Sequence, residues 1–375
     1  ESPISISEAE PFRSPAEAFS GPLPQSAAQI TFPVSQMQRT DTKRRNNGLM
    51  KEYIHGGDIY RHPDVLDYSA NINPLGTPPG VIRAAKDSME RVCHYPDACQ
   101  EKLKQALAEY EQVPVEWLIC GNGAAELIFA LVQAVKPKRA LVLAPTFAEY
   151  AQALDAVGCE VNREILQKED GFILQDRILD RLQKEDLQMV FLCNPNNPTG
   201  ILMDPKLLRK IVTLCEKRQI YLVVDECFLD FVPEPEVHTL KGELKGKKYL
   251  FLLKAFTKRY AMAGLRLGYG ITSGETLMTQ IEAQLQPWNV STPAQEAGTA
   301  ALRETAYVEK ARTLIFQERQ FLREGLMKMG YPVLDSQANY LFFKGPEDLF
   351  EICVRKNVLI RDCSNYPGLG KGFYR

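Results

Sequence analysis

The chain has 375 residues, 45% of them hydrophobic, and a formal net charge of −2. This length allows one large or two medium domains, and the balanced charge argues against nucleic acid or an acidic membrane surface as a partner. No apolar run in the sequence is long enough to span a bilayer, so we expect no membrane span. The four His and nine Cys lack the spacing of a zinc site, so we expect no metal.

The amino-terminal segment, residues 1–49, is rich in Ser, Pro, Gln and Ala and shows no hydrophobic periodicity. This composition predicts a disordered extension. Sequence typical of a folded protein follows Met50, so we interpret Met50 as the natural start and the preceding stretch as upstream sequence. Nine cysteines without a pattern are typical of free thiols in a reducing compartment, which predicts a cytoplasmic protein.

From Met50 onward, short apolar runs alternate with amphipathic stretches. The predicted strands are Leu141–Ala144, Met189–Cys193, Tyr221–Val224, Tyr249–Leu253 and Gly268–Ile271. The predicted helical stretches are Ala124–Val135, Pro205–Arg218 and Ala294–Lys328. Because the strands are apolar on both sides, the alternation predicts an α/β fold with a mostly parallel sheet and helices on both faces. Ligands of such sheets bind beyond the carboxyl ends of the strands.

A lysine, Lys258, follows one of these predicted strands in what we interpret as an irregular segment. A lysine amine can form an imine with an aldehyde cofactor if its pKa is lowered. A nearby cation, Arg266 or Arg259, would lower that pKa, and a guanidinium also binds phosphate with paired donors. The competing interpretation is a solvated basic loop.

Two polar segments follow the neighbouring strands. Asp225 ends the strand at Tyr221–Val224, where burial of a carboxylate is costly without a partner. A protonated ring nitrogen would be such a partner and would make the ring able to withdraw electrons, although Asp225 as a helix cap is the alternative. The segment at residues 194–200, Asn-Pro-Asn-Asn-Pro-Thr-Gly, predicts a rigid turn that aims the Asn197 amide at a ring hydroxyl.

Two further segments lie at the same predicted edge. Gly123 and Ala124 stand at the start of a predicted helix, where backbone N–H groups can receive a phosphate. This glycine-rich loop is neither a Walker loop nor a GxGxxG motif. Phe147 follows the strand at Leu141–Ala144 and could stack on a flat ring, with an ordinary core aromatic as the alternative.

In this order, the segments resemble the fold-type I enzymes that depend on pyridoxal 5′-phosphate (PLP), the aspartate-aminotransferase-like superfamily, over about residues 50–375. The resemblance implies a large PLP-binding domain at residues 81–290 and a smaller α+β domain built from residues 50–80 and 291–375. It implies that Lys258 binds PLP covalently and that Asp225 partners the ring nitrogen. The other cofactor contacts that it implies are Gly123, Ala124, Phe147, Asn197, Thr257, Arg266 and Tyr95.

The match at Tyr95, within His94-Tyr-Pro-Asp97, also concerns quaternary structure. In the superfamily the corresponding tyrosine reaches the cofactor phosphate of the neighbouring subunit. The resemblance therefore implies a homodimer with shared active sites.

Within the superfamily the chain is most similar to the histidinol-phosphate aminotransferase branch. Inside that branch, the segments at residues 55–60 and 68–76 look like the threonine-phosphate decarboxylase family. That family converts L-threonine O-3-phosphate to (R)-1-aminopropan-2-yl phosphate and CO2 for cobalamin biosynthesis. The implied contacts with this phosphorylated amino-acid substrate are His55, Gly56, Gly57, Asn73, Arg361 and Arg375.

The implied substrate contacts have separate tasks. His55, Gly56 and Gly57 offer an imidazole and two flexible amides to the substrate phosphate. Arg361 matches an arginine that binds the same phosphate, and Arg375 matches one that pairs with the substrate carboxylate.

Three departures from the family pattern matter. Phe228 stands where aminotransferases usually have a tyrosine that hydrogen-bonds the ring hydroxyl, a change compatible with the decarboxylase branch. Thr257 replaces a common serine and keeps the hydroxyl. The family continues beyond Arg375 with a strand and a helix, so we expect a truncated chain with Arg375 badly held.

Two alternatives stay open. An aminotransferase acting on histidinol phosphate or an aromatic amino acid would share every cofactor residue. An inactive PLP-binding fragment would keep the cofactor without the chemistry.

Overall fold

The protein is described by a computed structural model that covers residues 55–375, and its centre is a seven-stranded sheet. In chain order the seven strands are β2 (Leu118–Gly121), β3 (Arg139–Ala144), β4 (Glu160–Ile165), β5 (Met189–Cys193), β6 (Tyr221–Asp225), β7 (Leu250–Ala255) and β8 (Gly268–Ile271). Their order across the sheet is β2-β8-β7-β6-β5-β3-β4. Only β8 runs antiparallel to its neighbours, so the predicted mostly parallel sheet is confirmed.

The strands between the sheet edges are almost entirely buried, as their apolar runs predict. Two strands have no signal in the sequence patterns: β2, which is only four residues long, and β4 at the edge. β4 reads Glu-Val-Asn-Arg-Glu-Ile and exposes Glu160, because an edge strand does not need an apolar run.

Helices cover both faces of the sheet. Their bounds are α1 (Pro79–Ser88), α2 (Glu101–Glu111), α3 (Ala124–Val135), α4 (Ala148–Ala156), α5 (Arg177–Lys184), α6 (Pro205–Arg218), α7 (Pro235–His238), α8 (Phe256–Arg259), α9 (Glu275–Glu282), α10 (Thr292–Ala301), α11 (Thr305–Lys328) and α12 (Leu349–Arg355). α6 begins where its cap predicts, because the Asp204 carboxylate accepts from the Lys206 N–H at 3.0 Å.

Two expectations about helices were wrong. The amphipathic stretch Ala294–Lys328 is not one helix, because α10 ends at Ala301 and α11 begins at Thr305. Lys258 does not lie in an irregular segment but in the short helix α8, directly after β7. This helix holds the amine at the carboxyl end of a central strand.

Two small sheets lie outside the central sheet, and one of them joins the two ends of the described chain. β1 (Leu66–Asp67) pairs in parallel with β10 (Val358–Leu359), and β11 (Phe373–Tyr374) pairs antiparallel with β9 (Phe343–Lys344). The first pairing brings the segment after His55 against β10, and the second joins two segments near the carboxyl-terminal end. The predicted extension at residues 1–49 and the predicted start at Met50 lie outside the described residues. None of the helices between residues 55 and 375 has both the length and the apolar character that a membrane crossing requires.

A buried cluster of charges lies beside β7. The ammonium of Lys254 lies 3.4 Å from a carboxylate oxygen of Glu111 and 3.4 Å from one of Glu226. Burial would raise the pKa of Glu111, but Lys254, Lys241 and the Tyr269 hydroxyl together bring it down to about 2. The stabilisation from Glu111 is therefore complete above pH 4.5 and is lost as the pH falls toward 2.

We expect Lys254→Met to lower the free energy of unfolding by about 3–5 kcal/mol, because it leaves the buried Glu226 carboxylate without its cation and Glu111 with Lys241 alone. Urea unfolding of both proteins at pH 7 measures the difference. Lys184→Met is the control, since the 4.0 Å pair of Lys184 with Asp180 is exposed. Equal unfolding free energies for wild type and Lys254→Met would contradict this assignment.

Candidate active site

A cavity of about 520 Å³ opens at the carboxyl ends of the strands. Twelve of the fifteen predicted site residues line it: His55, Gly56, Gly57, Ala124, Phe147, Asn197, Asp225, Thr257, Lys258, Arg266, Arg361 and Arg375. The structure does not place Gly123, Asn73 or Tyr95 in its wall. The cavity therefore joins cofactor-type and substrate-type residues in one space.

Lys258 reaches this cavity from α8. Its Nζ donates a hydrogen bond to the Ala70 carbonyl at 3.0 Å and lies 5.9 Å from the centre of the Phe228 ring. Burial, followed by the charges of Arg375 and Arg266, lowers the pKa of Lys258 to about 8. A lysine with this pKa is a much better nucleophile near neutral pH than an exposed one.

Of the two cations that the sequence offered as neighbours of Lys258, Arg266 lowers the pKa of its amine. Arg259 does not line the cavity, and its guanidinium pairs with Asp230 at 3.0 Å. Burial, which depends on tertiary packing, contributes more to the lowered pKa of Lys258 than either cation in the cavity.

Asp225 is a buried carboxylate at the end of β6. Its Oδ2 accepts from the Tyr150 hydroxyl at 2.5 Å, and its Oδ1 accepts from the Cys227 N–H at 2.9 Å. Burial raises the pKa of Asp225, while these hydrogen bonds act in the opposite direction. Sequence reasoning missed Tyr150, although it lies three residues after Phe147, in the first turn of α4.

The ring of Tyr150 is fixed on both sides. It stacks on Phe191 with centroids 4.9 Å apart and meets Phe147 edge-on at 5.5 Å. Phe147 thus belongs both to the cavity wall and to the packing that positions the Tyr150 hydroxyl on Asp225.

The loop at Gly123 was predicted to bind phosphate with its backbone amides, and the structure differs from this prediction at the Gly123 N–H. The Gly123 N–H donates to the Gly121 carbonyl at 2.8 Å, so it is already bonded within the loop. The amides offered to the cavity are instead those of Ala124 and Ala125, at the amino-terminal end of α3. Sequence reasoning missed Ala125. Its position in the first turn of the predicted helix, where N–H groups are free, could have identified it.

Gly123 has a different use in this loop. Its φ is +81°, and a Cβ atom there would lie 2.4 Å from Nη2 of Arg266. Only glycine lets the Arg266 guanidinium lie against the start of α3. The result is a positively charged guanidinium beside free helix N–H groups, which is an arrangement suited to phosphate.

Arg375 is firmly held, contrary to expectation. Its guanidinium donates to the Asn197 side-chain oxygen and, at 2.6 Å, to the Ser69 carbonyl. Its backbone exchanges two hydrogen bonds with Arg361, at 2.9 and 3.0 Å. With its amide oxygen turned toward the guanidinium, Asn71 accepts from Nε at 3.0 Å.

Ser69 and Asn71 are contacts that the sequence did not identify. Both lie in the segment at residues 68–76 that was singled out for its family resemblance, which is the signal that could have found them. The Asn197 side-chain oxygen accepts from the Arg375 guanidinium, so its NH2 group is the part of the amide that can be aimed at a ring hydroxyl.

Arg361 and His55 also line the cavity. Nη2 of Arg361 donates to the Asn365 side-chain oxygen at 2.9 Å, and Nη1 donates to the Asp362 carbonyl. A guanidinium has five N–H donors, so Arg361 keeps donors for a ligand. Nδ1 of His55 lies 3.4 Å from Oε1 of Glu149, and burial followed by the charge of Arg361 lowers the pKa of His55.

The two glycines after His55 serve the packing of the loop. The Gly57 N–H donates to the Ser69 hydroxyl at 2.6 Å, so this amide is not offered to a phosphate. A Cβ atom at Gly56 would lie 2.1 Å from the Ser69 carbonyl oxygen, so the loop can approach only with glycine there.

Asn73 and Tyr95 lie elsewhere. The Asn73 amide donates to the Arg259 carbonyl at 2.8 Å, and its backbone N–H donates to the Lys258 carbonyl at 3.2 Å. Asn73 therefore supports the Lys258 segment from outside the cavity. Tyr95 is 79% exposed and stacks on Trp288 with centroids 4.5 Å apart.

The cavity fits an aromatic aldehyde that carries a phosphate and a basic ring nitrogen. Lys258 can bind the aldehyde, and the buried Asp225 carboxylate can hold a proton on the ring nitrogen. Arg266 and the first amides of α3 can receive the phosphate. The close approach at Gly123, where a Cβ would displace Arg266, supports a phosphate-bearing cofactor in this cavity.

Comparison with known proteins defines the class. The sequence profile of aminotransferase class I and II matches residues 63–375, so the chain belongs to this family. The cofactor of the chain is PLP, as predicted.

Individual relatives narrow the comparison. Threonine-phosphate decarboxylase from Salmonella typhimurium is 40% identical over 333 residues, covering 86% of this chain and 91% of the relative. Histidinol-phosphate aminotransferase from Anaeromyxobacter sp. is 32% identical, covering 82% and 85%. The crystal structure of histidinol-phosphate aminotransferase from Clostridium acetobutylicum has a TM-score of 0.77 at 29% identity, covering 83% of this chain and 93% of that one. The predicted superfamily and branch are confirmed.

Proposed function

We propose that this chain is a PLP-dependent threonine-phosphate decarboxylase, which converts L-threonine O-3-phosphate to (R)-1-aminopropan-2-yl phosphate and CO2 for cobalamin biosynthesis. The observation that carries the proposal is the 40% identity to an enzyme of that name over 86% of the chain. The cavity supports it, because it extends from Lys258 and Asp225 to a second basic region around His55 and Arg361.

The second basic region suits a phosphorylated amino acid. Arg361 and His55 would receive the substrate phosphate, while Arg375 would pair with the carboxylate. A substrate held at both ends has one orientation, and that orientation selects which bond at its Cα breaks. Binding energy far from the reacting carbon is thereby used to choose decarboxylation.

The residues around the cofactor have defined tasks. PLP, when bound, withdraws electrons from the substrate carbon through its protonated ring. Asp225 keeps that proton on the ring nitrogen, and Tyr150 holds the Asp225 carboxylate in place. Lys258, whose pKa is lowered to about 8, can hold a proton on Nζ and return it to Cα after CO2 has left.

Phe228 supports the decarboxylase over the aminotransferase. Its ring lines the cavity and packs edge-on against Tyr340, with centroids 5.1 Å apart. A phenyl ring cannot donate a hydrogen bond, so the cofactor lacks a contact that aminotransferases usually provide at this position. The alternative, an aminotransferase acting on histidinol phosphate, is favoured by the 32% identity to such an enzyme.

The arrangement of the molecule is part of the proposal. We infer a homodimer in which the exposed Tyr95 reaches the cofactor phosphate of the partner subunit. We also infer a large domain at residues 81–290 and a small domain from residues 50–80 and 291–375. Within the small domain, the pairing of β1 with β10 joins the two segments. Nine cysteines without a disulfide support a cytoplasmic location.

The test gives purified holoenzyme O-phospho-L-threonine and measures CO2 and keto acid side by side. We expect CO2 release with no keto acid, because the substrate is oriented for loss of its carboxylate. Histidinol phosphate with 2-oxoglutarate is the parallel assay for the alternative. Keto acid without CO2 would overturn the decarboxylase. If neither product forms, the result would favour an inactive PLP-binding protein.

A further inference from the structure

A carboxyl group in the cavity wall, Glu149, has no part in the function proposed above. It lies in the first turn of α4, two residues after Phe147. Its Oε1 lies 3.4 Å from Nδ1 of His55, while its Oε2 is buried and receives no hydrogen bond from residues 55–375. A buried carboxylate oxygen without a donor is costly, so this oxygen needs either a proton or a donor from a ligand.

The surroundings of Glu149 decide between these states. The other titratable and charged groups that face the same cavity are His55, Asp67, Cys193, Asp225, Cys227, Lys258, Arg266, Arg361, Tyr366 and Arg375. Burial raises the pKa of Glu149 to about 7, although its own backbone N–H, Lys258 and Arg361 act to lower it. Burial also lowers the pKa of His55. Near neutral pH, the Glu149 carboxyl group is therefore close to its pKa, and a small change in its surroundings shifts its protonation state.

We propose that Glu149, in its protonated form, binds the phosphate of the substrate together with His55 and Arg361. The inference rests on the proposed function, because a phosphorylated substrate is what places a dianion in this part of the cavity. A dianion disfavours the Glu149 carboxylate and favours a protonated His55, so binding takes up protons from solution. The protonated Oε2 then donates a hydrogen bond to a phosphate oxygen. An ionised Glu149 carboxylate would instead repel the phosphate.

This arrangement makes phosphate binding depend on pH. Uptake of one proton raises Kd by about tenfold for each pH unit above the pKa of the unliganded group. The sign follows from the direction of the shift: the ligand raises the pKa of Glu149, so affinity is highest below about pH 7 and falls above it. Glu149→Gln removes the part of this dependence that comes from Glu149 and leaves the part from His55, because the amide is neutral at every pH and still has an N–H donor.

The experiment titrates isopropyl phosphate into the holoenzyme by calorimetry between pH 7 and 8.5. This ester has neither amine nor carboxylate, so it cannot react, and it remains a dianion because its second pKa is about 6. PLP already fills its own phosphate site. We expect the wild type to lose about tenfold more affinity across this range than Glu149→Gln. Paired titrations in buffers of different ionisation enthalpy should show proton uptake that is smaller in the variant.

Glu160→Gln is the matched control, because this exposed carboxylate on β4 lies away from the cavity, and it should behave as the wild type. Equal pH slopes and equal proton uptake in wild type and Glu149→Gln would overturn the role of Glu149. If the variant does not fold, the wild type alone decides, since uptake near zero at pH 7.5 overturns the inference. A wild type that does not bind the ester at any pH contradicts instead the phosphorylated substrate of the proposed function.

Discussion

Lys258→Ala is expected to lose the covalently bound cofactor and to lower kcat by about 10²–10⁴-fold. The variant removes both the nucleophile that binds the aldehyde and the amine that returns a proton to the substrate. The protein should remain folded, since Nζ of Lys258 makes a single hydrogen bond, to the Ala70 carbonyl at 3.0 Å, among the described residues.

The measurement is borohydride reduction followed by peptide mass spectrometry. In the wild type the cofactor mass should stay on the peptide that contains Lys258, and in the variant no peptide should carry it. Lys184→Ala, a change on the exposed face of α5, is the control and should keep the modified peptide. A cofactor still attached to the Lys258→Ala protein would show that another amine is the nucleophile.

The second large effect concerns Asp225. We expect Asp225→Asn to lower kcat by about 10²–10³-fold, because a neutral amide does not keep the ring nitrogen protonated. The amide fits the same hydrogen bonds: its oxygen accepts from the Cys227 N–H, and its NH2 group can donate to the Tyr150 oxygen. The loss should therefore be electrostatic and not structural.

Two measurements separate charge from packing. Thermal unfolding of the cofactor-free Asp225→Asn protein should occur at the same temperature as in the wild type or higher, because burial already raises the pKa of Asp225 and makes its charge costly. Tyr150→Phe keeps the charge and removes one hydrogen bond, so its kcat should fall less than that of Asp225→Asn. A fully active Asp225→Asn enzyme would remove Asp225 from the proposed mechanism.

The local elements of this fold could be predicted because their causes are local. The bounds of β5, β8, α3 and α6 follow from apolar runs and from the Asp204 cap. β2 and β4 could not be predicted in this way, because one is four residues long and the other is an edge strand with polar side chains. The break between α10 and α11 was also missed, since the amphipathic pattern continues across it.

The chemical identity of the cofactor residues was likewise visible in the sequence. Asp225 and Lys258 stand at the carboxyl ends of parallel strands, which meet at one edge of the sheet, and Arg266 precedes the antiparallel β8, which begins at that edge. Which atoms are available at that edge was not visible. The Gly123 amide is bonded within its loop, and Asn73 supports Lys258 from outside the cavity.

By itself, the sequence determined the superfamily, the parallel sheet and the residue types that meet PLP. Only the tertiary structure decided that Arg375 is held by Ser69 and Asn197, that Tyr150 bonds Asp225, and that Glu149 lies buried beside His55. The physical reason is that desolvation and hydrogen bonding depend on neighbours far apart in the chain. Ser69 and Arg375 are separated by 306 residues, and no local pattern in either segment encodes their contact.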